Sequence, residues 1–312
     1  MYLRQSKYHL ILLLCFTLAF FVLLDGTKGP LVLDDFRNLS PLLSEENPDY
    51  SEVIFGNDSG LFGRSISMST FVVNHWFRNE ISVRDLKITN LALHYVNGLL
   101  VYLTLIILLK ERFNKEDRYQ LALLTSLCWV LSPLNTSVVF YTIQRMAMLS
   151  TFFVLAGCLI YVYMKPLCIS SKKKMCSVFF LLAMCWLLAT LSKENGVLLP
   201  GLILGIELCF YNEMRSWIKN LSARNLCWLA FIFLIFIGIT IGIIHFKGFL
   251  DYSTFDFNLV ARLATQAIVL IDYIQSLLLP FSTGTGLYAD DVVVKTTFWN
   301  VETVFSCLFL IL

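Results

Sequence analysis

An all-α, polytopic transmembrane helix bundle is the fold class predicted for this chain of 312 residues, and three observations predict it. Hydrophobic residues make up 57% of the chain. Charged residues are only 15%, where a soluble domain carries about 25%. Mean hydropathy is +0.72, as expected of a chain whose apolar surface faces lipid as well as a core. A net charge of +2 spread over such a chain predicts no nucleic-acid partner; what matters is where the charges lie relative to the spans.

The elements follow in order. A first apolar run, about 8–25, comes after Arg4 and Lys7 and lacks a small-residue cleavage site, so it predicts an uncleaved span with a cytoplasmic N-terminus. Further hydrophobic segments lie at about 88–109, 119–133, 146–164, 176–192, 196–212, 226–245 and 260–280, and a ninth begins near Trp299. That makes eight or nine, each near the roughly 17–25 residues a crossing needs. The run 119–133 is short, and 260–280 is interrupted by Arg262, Gln266, Asp272 and Gln275. A polar-interrupted segment is a poor span, so 260–297 is expected to form a late external or re-entrant element that also carries Asp290 and Asp291. The chain stops inside an apolar run, which reads as truncation within a span.

Thirteen basic residues, among them Arg4, Lys7, Lys110, Arg112, Lys165, Lys172, Lys173 and Lys174, fall on one side if the N-terminus is inside. This is the positive-inside pattern. The segment 26–87 is then a large external first loop. Within it, Ser65 to Phe77 carries apolar residues at helical spacing with aromatics at one end, the pattern of a helix lying in the membrane interface. Nine cysteines sit mostly in or beside apolar runs, and none has a metal-ligand spacing. Neither a divalent metal nor any other cofactor is indicated.

Asp34 and Asp35, just beyond the first span, are the most informative pair. Carboxylates beside hydrocarbon are costly and are kept where chemistry needs them. The same external surface receives Lys193 and Glu194 from the turn Ser192 to Gly196, and Arg145 from a stretch apolar on both sides. Such a surface suits transfer of a group from a lipid-linked phosphate to a hydroxyl. Cations stabilise the departing phosphate and a carboxylate takes the hydroxyl proton. The residues leave other readings open: the Asp-Asp-Phe-Arg stretch also fits the capped start of an interfacial helix, and the charges also fit a lipid-linked sugar flippase or a non-catalytic scaffold. His94 reads as a hydrogen-bonded structural histidine near the external end of a span.

A resemblance favours catalysis. Leu33 to Asn38, Gly63 to Phe71, Leu93 to Leu100, Leu131 to Arg145, Leu191 to Val197 and Arg262 to Pro280 resemble, in shared order, motifs of the integral-membrane glycosyltransferases of the GT-C class. The branch they resemble most contains the transmembrane and tetratricopeptide-repeat O-mannosyltransferases and their bacterial relatives. Ser65, Ser132 and Ser137 stand where that family usually has proline, histidine and glutamate. The resemblance implies Asp34 and Asp35 as catalytic carboxylates, with Asp34 as base. It implies Arg64, Arg145 and Lys193 as contacts to the donor phosphate, with Glu194 and His94 in support. It also implies a polyprenyl-phosphate sugar as donor and a protein or glycan hydroxyl as acceptor. The expected setting is a multi-pass protein, in a bacterial inner membrane rather than the endoplasmic reticulum, with a periplasmic or lumenal site. The repeats common in the family are missing here. The test this sets is geometric: Asp34, Arg145 and Lys193 should reach one cavity.

Overall fold

The computed structural model describes residues 2–44, 48–56, 63–78, 82–168, 172–211, 256–279, 293–297 and 299–311. Among them every regular element is helical and no strand occurs. The chain divides into two compact units, 1–215 and 216–312.

In the first unit α1 (Tyr2–Leu23) runs into a 3-10 turn, Leu24–Lys28. Three shorter helices follow: α2 (Asp34–Ser44), α3 (Tyr50–Phe55) and α4 (Ser65–Arg78). Then come α5 (Val83–Leu108), α6 (Lys115–Val130), α7 (Leu134–Phe140), α8 (Arg145–Cys168), α9 (Lys172–Ser192) and α10 (Leu199–Phe210). Local chemistry sets several boundaries. The Asp49 side chain accepts from the N–H groups of Ser51 and Glu52 and starts α3; Asn114 does the same for α6 through Asp117. Pro133 divides α6 from α7, which meet at a 60° bend, because proline lacks an N–H and disfavours helix in the residue before it.

Helix α5 is central, packed on α6 and α8, with α9 against α8 and α1 against α6. Small and amide side chains let it sit there. Ser126 Oγ donates to the Gly98 carbonyl at 2.7 Å, and a Cβ on Gly98 would stand 2.3 Å from Val130 Cγ2. Asn90 donates to the carbonyls of Val139 and Thr142, and Asn97 to that of Met148. Between apolar helices such bonds, rather than a hydrophobic driving force, supply specific association.

Among the described residues four helices are long and apolar enough to cross a membrane, at Lys7–Lys28, Val83–Glu111, Thr142–Lys165 and Lys174–Ser192; the bent α6–α7 pair would make five. In length and composition these helices are consistent with an integral membrane protein. The sequence predicts eight or nine segments. The 226–245 segment lies outside the described residues, as do Asp290 and Asp291. The 196–212 segment divides into a 3-10 stretch, Glu194–Leu198, and the 12-residue α10, about 18 Å long at 1.5 Å per residue against a hydrocarbon core of about 30 Å. Of the described residues between α1 and α5 most are helical, and α4 covers Ser65 to Phe77, where the sequence has apolar residues at helical spacing.

The ends of the first unit differ. At one end the Lys87 ammonium donates to the Pro30 carbonyl, and the Ser67 hydroxyl to that of Ser192. The C-termini of α1 and α9 thus lie with the N-termini of α4, α5 and α8. At the other end Lys7 and Tyr8 meet Glu116, and Lys165 meets the buried Glu207. In the second unit α11 (Leu259–Leu278) begins at an Asn258 cap, and α12 is Val301–Ile311. The Lys295 N–H donates to Thr265 Oγ1 and its ammonium pairs with Glu302 at 2.6 Å.

The turn after α9 allows no side chain at Gly196. A Cβ there would lie 2.2 Å from the Ala189 carbonyl carbon and 2.4 Å from the Thr190 nitrogen, both backbone. Gly196→Ala is therefore expected to destabilise the protein by about 1–3 kcal/mol, the range for overpacking. Thermal unfolding in detergent checks this, and an unchanged midpoint contradicts it.

Candidate active site

The two adjacent aspartates point different ways, and helical geometry is the reason. Residues 35, 39 and 42 share one face of α2, and Asp35, Leu39 and Leu42 are all buried. Asp34, Arg37 and Asn38 share another face, and these three line an open cavity of about 120 Å³ with Arg64, Ile143, Gln144, Met146 and Lys193.

Asp35 is fully buried and accepts three backbone N–H groups. Its Oδ2 takes Val32 at 3.1 Å and Thr142 at 3.3 Å, and its Oδ1 takes Ile143 at 2.6 Å. Burial pushes its pKa up, and the three backbone bonds oppose that. The carboxylate thereby ties the start of α2 to the 3-10 turn Thr142–Gln144. Tyr141 adds a second tie, its hydroxyl accepting the Asp34 N–H at 3.0 Å. Burial, together with the carboxylates of Asp34 and Asp35, raises the Tyr141 phenol above its ordinary value. The Asp34 carboxylate is exposed, and among the described residues no cation forms an ion pair with it.

Two non-glycine residues among those described have positive φ, Leu33 at 49° and Arg64 at 53°, and both adjoin this cavity. The left-handed region costs an L-residue roughly 1–2 kcal/mol, and such strain persists where surrounding contacts over-determine it. At Leu33 those contacts are the Asp35 and Tyr141 bonds on either side. At Arg64, which follows Gly63 (φ 75°), they come from the turn after α9. Its Nε and NH2 donate to the two Glu194 oxygens at 3.4 and 3.3 Å, and NH1 meets Met146 Sδ at 3.4 Å. Lys193 donates to Gln144 Oε1 at 3.1 Å. Burial first, and Arg64 next, hold its ammonium below the usual lysine range, while Glu194 opposes them.

Asp34, Arg64 and Lys193 thus share one cavity, and Glu194 reaches it through Arg64. Arg145 does not line it. Its side chain is buried beside the cavity, where Nε donates to Asn90 Oδ1 at 2.7 Å, NH1 to Asn74 Oδ1 at 2.6 Å and NH2 to the Leu86 carbonyl at 2.9 Å. The guanidinium also lies over the Phe71 ring at 4.1 Å. Each nitrogen having a protein acceptor, Arg145 joins α4, α5 and α8 behind the site. His94 is farther along α5, bonded to the Val130 carbonyl at 2.9 Å and stacked on Trp129. Sequence reading missed Tyr141, Gln144 and Arg37. The first two lie within the stretch leading to Arg145, and the third is one turn beyond Asp34, which was the available signal. Among the described residues no group of three or more His, Cys, Asp or Glu side chains could hold a metal ion.

The different environments of the carboxylates predict different mutant stabilities. Asp35→Asn sets an amide N–H₂ against backbone N–H donors and leaves at least one buried and unsatisfied, costing about 1–3 kcal/mol. Asp34→Asn should leave the unfolding midpoint nearly unchanged. Equal midpoints for the two variants would contradict this division.

No family model matches the chain, and no solved structure matches it. The chain is similar to a protein O-mannosyl-transferase of Caenorhabditis elegans, 26% identical over 219 residues. That alignment covers 66% of this chain but 29% of the relative, so the chain spans less than a third of that protein's length. The similarity supports a glycosyltransferase of the O-mannosyltransferase kind.

Proposed function

We propose that this chain is a GT-C type glycosyltransferase that moves a monosaccharide, mannose being one candidate, from a polyprenyl-phosphate donor to a hydroxyl of a protein or glycan. The observation that carries the reading is one cavity lined by an exposed carboxylate, Asp34, together with the side chains of Arg64 and Lys193. The cavity is built from helix ends, where α2 and α4 begin, α8 begins and α9 ends. A donor with its prenyl chain beside the spans would bring its phosphate to that level. The similarity to an O-mannosyl-transferase supports the same chemistry.

In this reading the acceptor hydroxyl gives its proton to Asp34 while its oxygen attacks the sugar C1. The bond from C1 to the phosphate oxygen breaks, and its electron pair leaves with the phosphate. A single displacement inverts C1. Lys193 stabilises the leaving charge, and Arg64, held by Glu194, flanks it. Asp35 holds the loop that presents Asp34, and Arg145 holds the helices behind it, so both are positioning residues. The site faces the periplasm or lumen, opposite the basic loops.

A general base contributes about 10²–10⁴-fold. Asp34→Asn is expected to lose at least the lower figure in transfer from a radiolabelled polyprenyl-phosphate mannose, at unchanged protein stability. Undiminished transfer removes Asp34 as the base; no transfer from any such donor by the wild type removes the reading. The pH profile gives a separate check. Because the Lys193 pKa lies below the ordinary lysine value, its charge is present at low pH and lost as pH rises through that lowered value. The alkaline limb of donor binding should therefore fall at lower pH than an ordinary lysine would give. Lys193→Arg should move that limb upward, since guanidinium keeps its proton.

A further inference from the structure

Three cations line the cavity, and they are not equivalent. Arg64 is committed to the Glu194 carboxylate through two bonds. Lys193 is held by a neutral amide oxygen, that of Gln144. Arg37 lines the same cavity from the first turns of α2, three residues after Asp34. Its side chain is exposed, and among the described residues its guanidinium has no hydrogen bond or ion pair. A guanidinium is matched in shape to the oxygens of a phosphate and can bind two at once.

The charges can be followed through the reaction. Arg64 and Glu194 cancel. Before transfer, Asp34 carries one negative charge and Arg37 and Lys193 two positive ones, which leaves a surplus of one. A prenyl-phosphate sugar is a phosphodiester with one negative charge, and it balances that surplus. During transfer the acceptor proton neutralises Asp34, so the surplus becomes two. The breaking C1–O bond leaves its electron pair on the phosphate, which becomes a monoester with a charge of about −1.5 to −2 near pH 7. The site is balanced at both stages.

We propose that Arg37, acting with Lys193, forms the binding site for the phosphomonoester of the departing prenyl phosphate, and that Arg37 sets the preference for monoester over diester. The residue is assigned from its free guanidinium in the cavity, and the ligand class rests on the glycosyl-transfer reading.

The test is binding to the full chain in lipid nanodiscs at about pH 7.5, where a phosphomonoester is largely dianionic. The probes are radiolabelled farnesyl phosphate, a monoester, and farnesyl methyl phosphate, a diester. Asp34→Asn, which has the charge the site reaches after transfer, should prefer the monoester by more than wild type does. Arg37→Gln should weaken monoester binding about tenfold or more, as expected for losing a hydrogen bond between charged groups, and diester binding far less. Arg37→Lys should restore part of the preference. Asp34→Asn, which removes a negative charge, should tighten monoester binding. Because Arg37 has no hydrogen bond or ion pair through its guanidinium among the described residues, Arg37→Gln should unfold at the wild-type midpoint, which separates lost binding from lost folding. A preference unchanged in Arg37→Gln, or equal losses for both probes, overturns the proposal. Sugar transfer is measured separately: an Arg37-dependent monoester preference without transfer keeps the anion site and removes the enzyme reading. Transfer with an Arg37-independent preference does the reverse.

Discussion

A buried carboxylate bonded to backbone N–H groups organises this end of the molecule. Asp35 sits where two irregular pieces of backbone meet, the entry to α2 and the 3-10 turn before α8, and it accepts an N–H from Val32, Thr142 and Ile143. Both pieces are places where helices start and where early N–H groups have no carbonyl of their own helix to bond. Burying an ionised group is expensive unless its oxygens are satisfied. Here the expense on the carboxylate side and the unsatisfied donors on the backbone side offset one another. Segments more than a hundred residues apart are joined by that exchange, and what lines the cavity follows from it. Asp34 leaves α2 on the other face because its neighbour faces inward. Gln144 stands at the cavity wall because Ile143 is pinned.

Arg145 repeats the pattern with the opposite sign. Its guanidinium is held by two amide oxygens, Asn90 and Asn74, and by the Leu86 carbonyl, over the face of Phe71. No carboxylate takes part in these bonds. Neutral dipoles and a π face solvate the charge without cancelling it, so one positive charge stays buried behind the site. The rigid frame around the cavity is thus made of one anion and one cation, each bonded to neutral groups. The mobile chemistry is left to the exposed side chains in front of them.

Much of this arrangement was legible beforehand, for physical reasons that also mark where reading stopped. Apolar runs as long as those of α1, α5, α8 and α9 have no other use than to span, so they were identifiable from composition. The α10 region was equally apolar, and the polar turn from Ser192 to Gly196 before it was legible. The 3-10 stretch Glu194–Leu198 that shortens the following helix was not, because its close packing at Gly196 on the Ala189 and Thr190 backbone leaves no mark in composition. The motif order brought Asp34, Arg64 and Lys193 into one frame. It could not separate Asp34 from Asp35, because inward and outward positions are one residue apart on a helix and the register of α2 is set by Leu39 and Leu42. Nor could it tell a cation that meets ligand from one that meets protein. Arg145 and Arg37 are the same residue type, and what distinguishes them is whether Asn90 and Asn74 are in reach.

That distinction bears on how such a site can vary. A guanidinium bonded on every nitrogen cannot be altered without disturbing three helices, whereas one that faces only the cavity can be changed at little structural cost. Arg145 and Asp35 are therefore tied to the fold, while Arg37, on the exposed side of α2, is tied only to whatever enters. The strained backbone at Leu33 and Arg64 belongs with the first group. Each residue is held at positive φ by bonds to a neighbouring segment, and each sets the direction in which a charged side chain leaves the chain. The frame thus fixes where Asp34 and Arg64 point. The charge presented between them is free to follow the ligand.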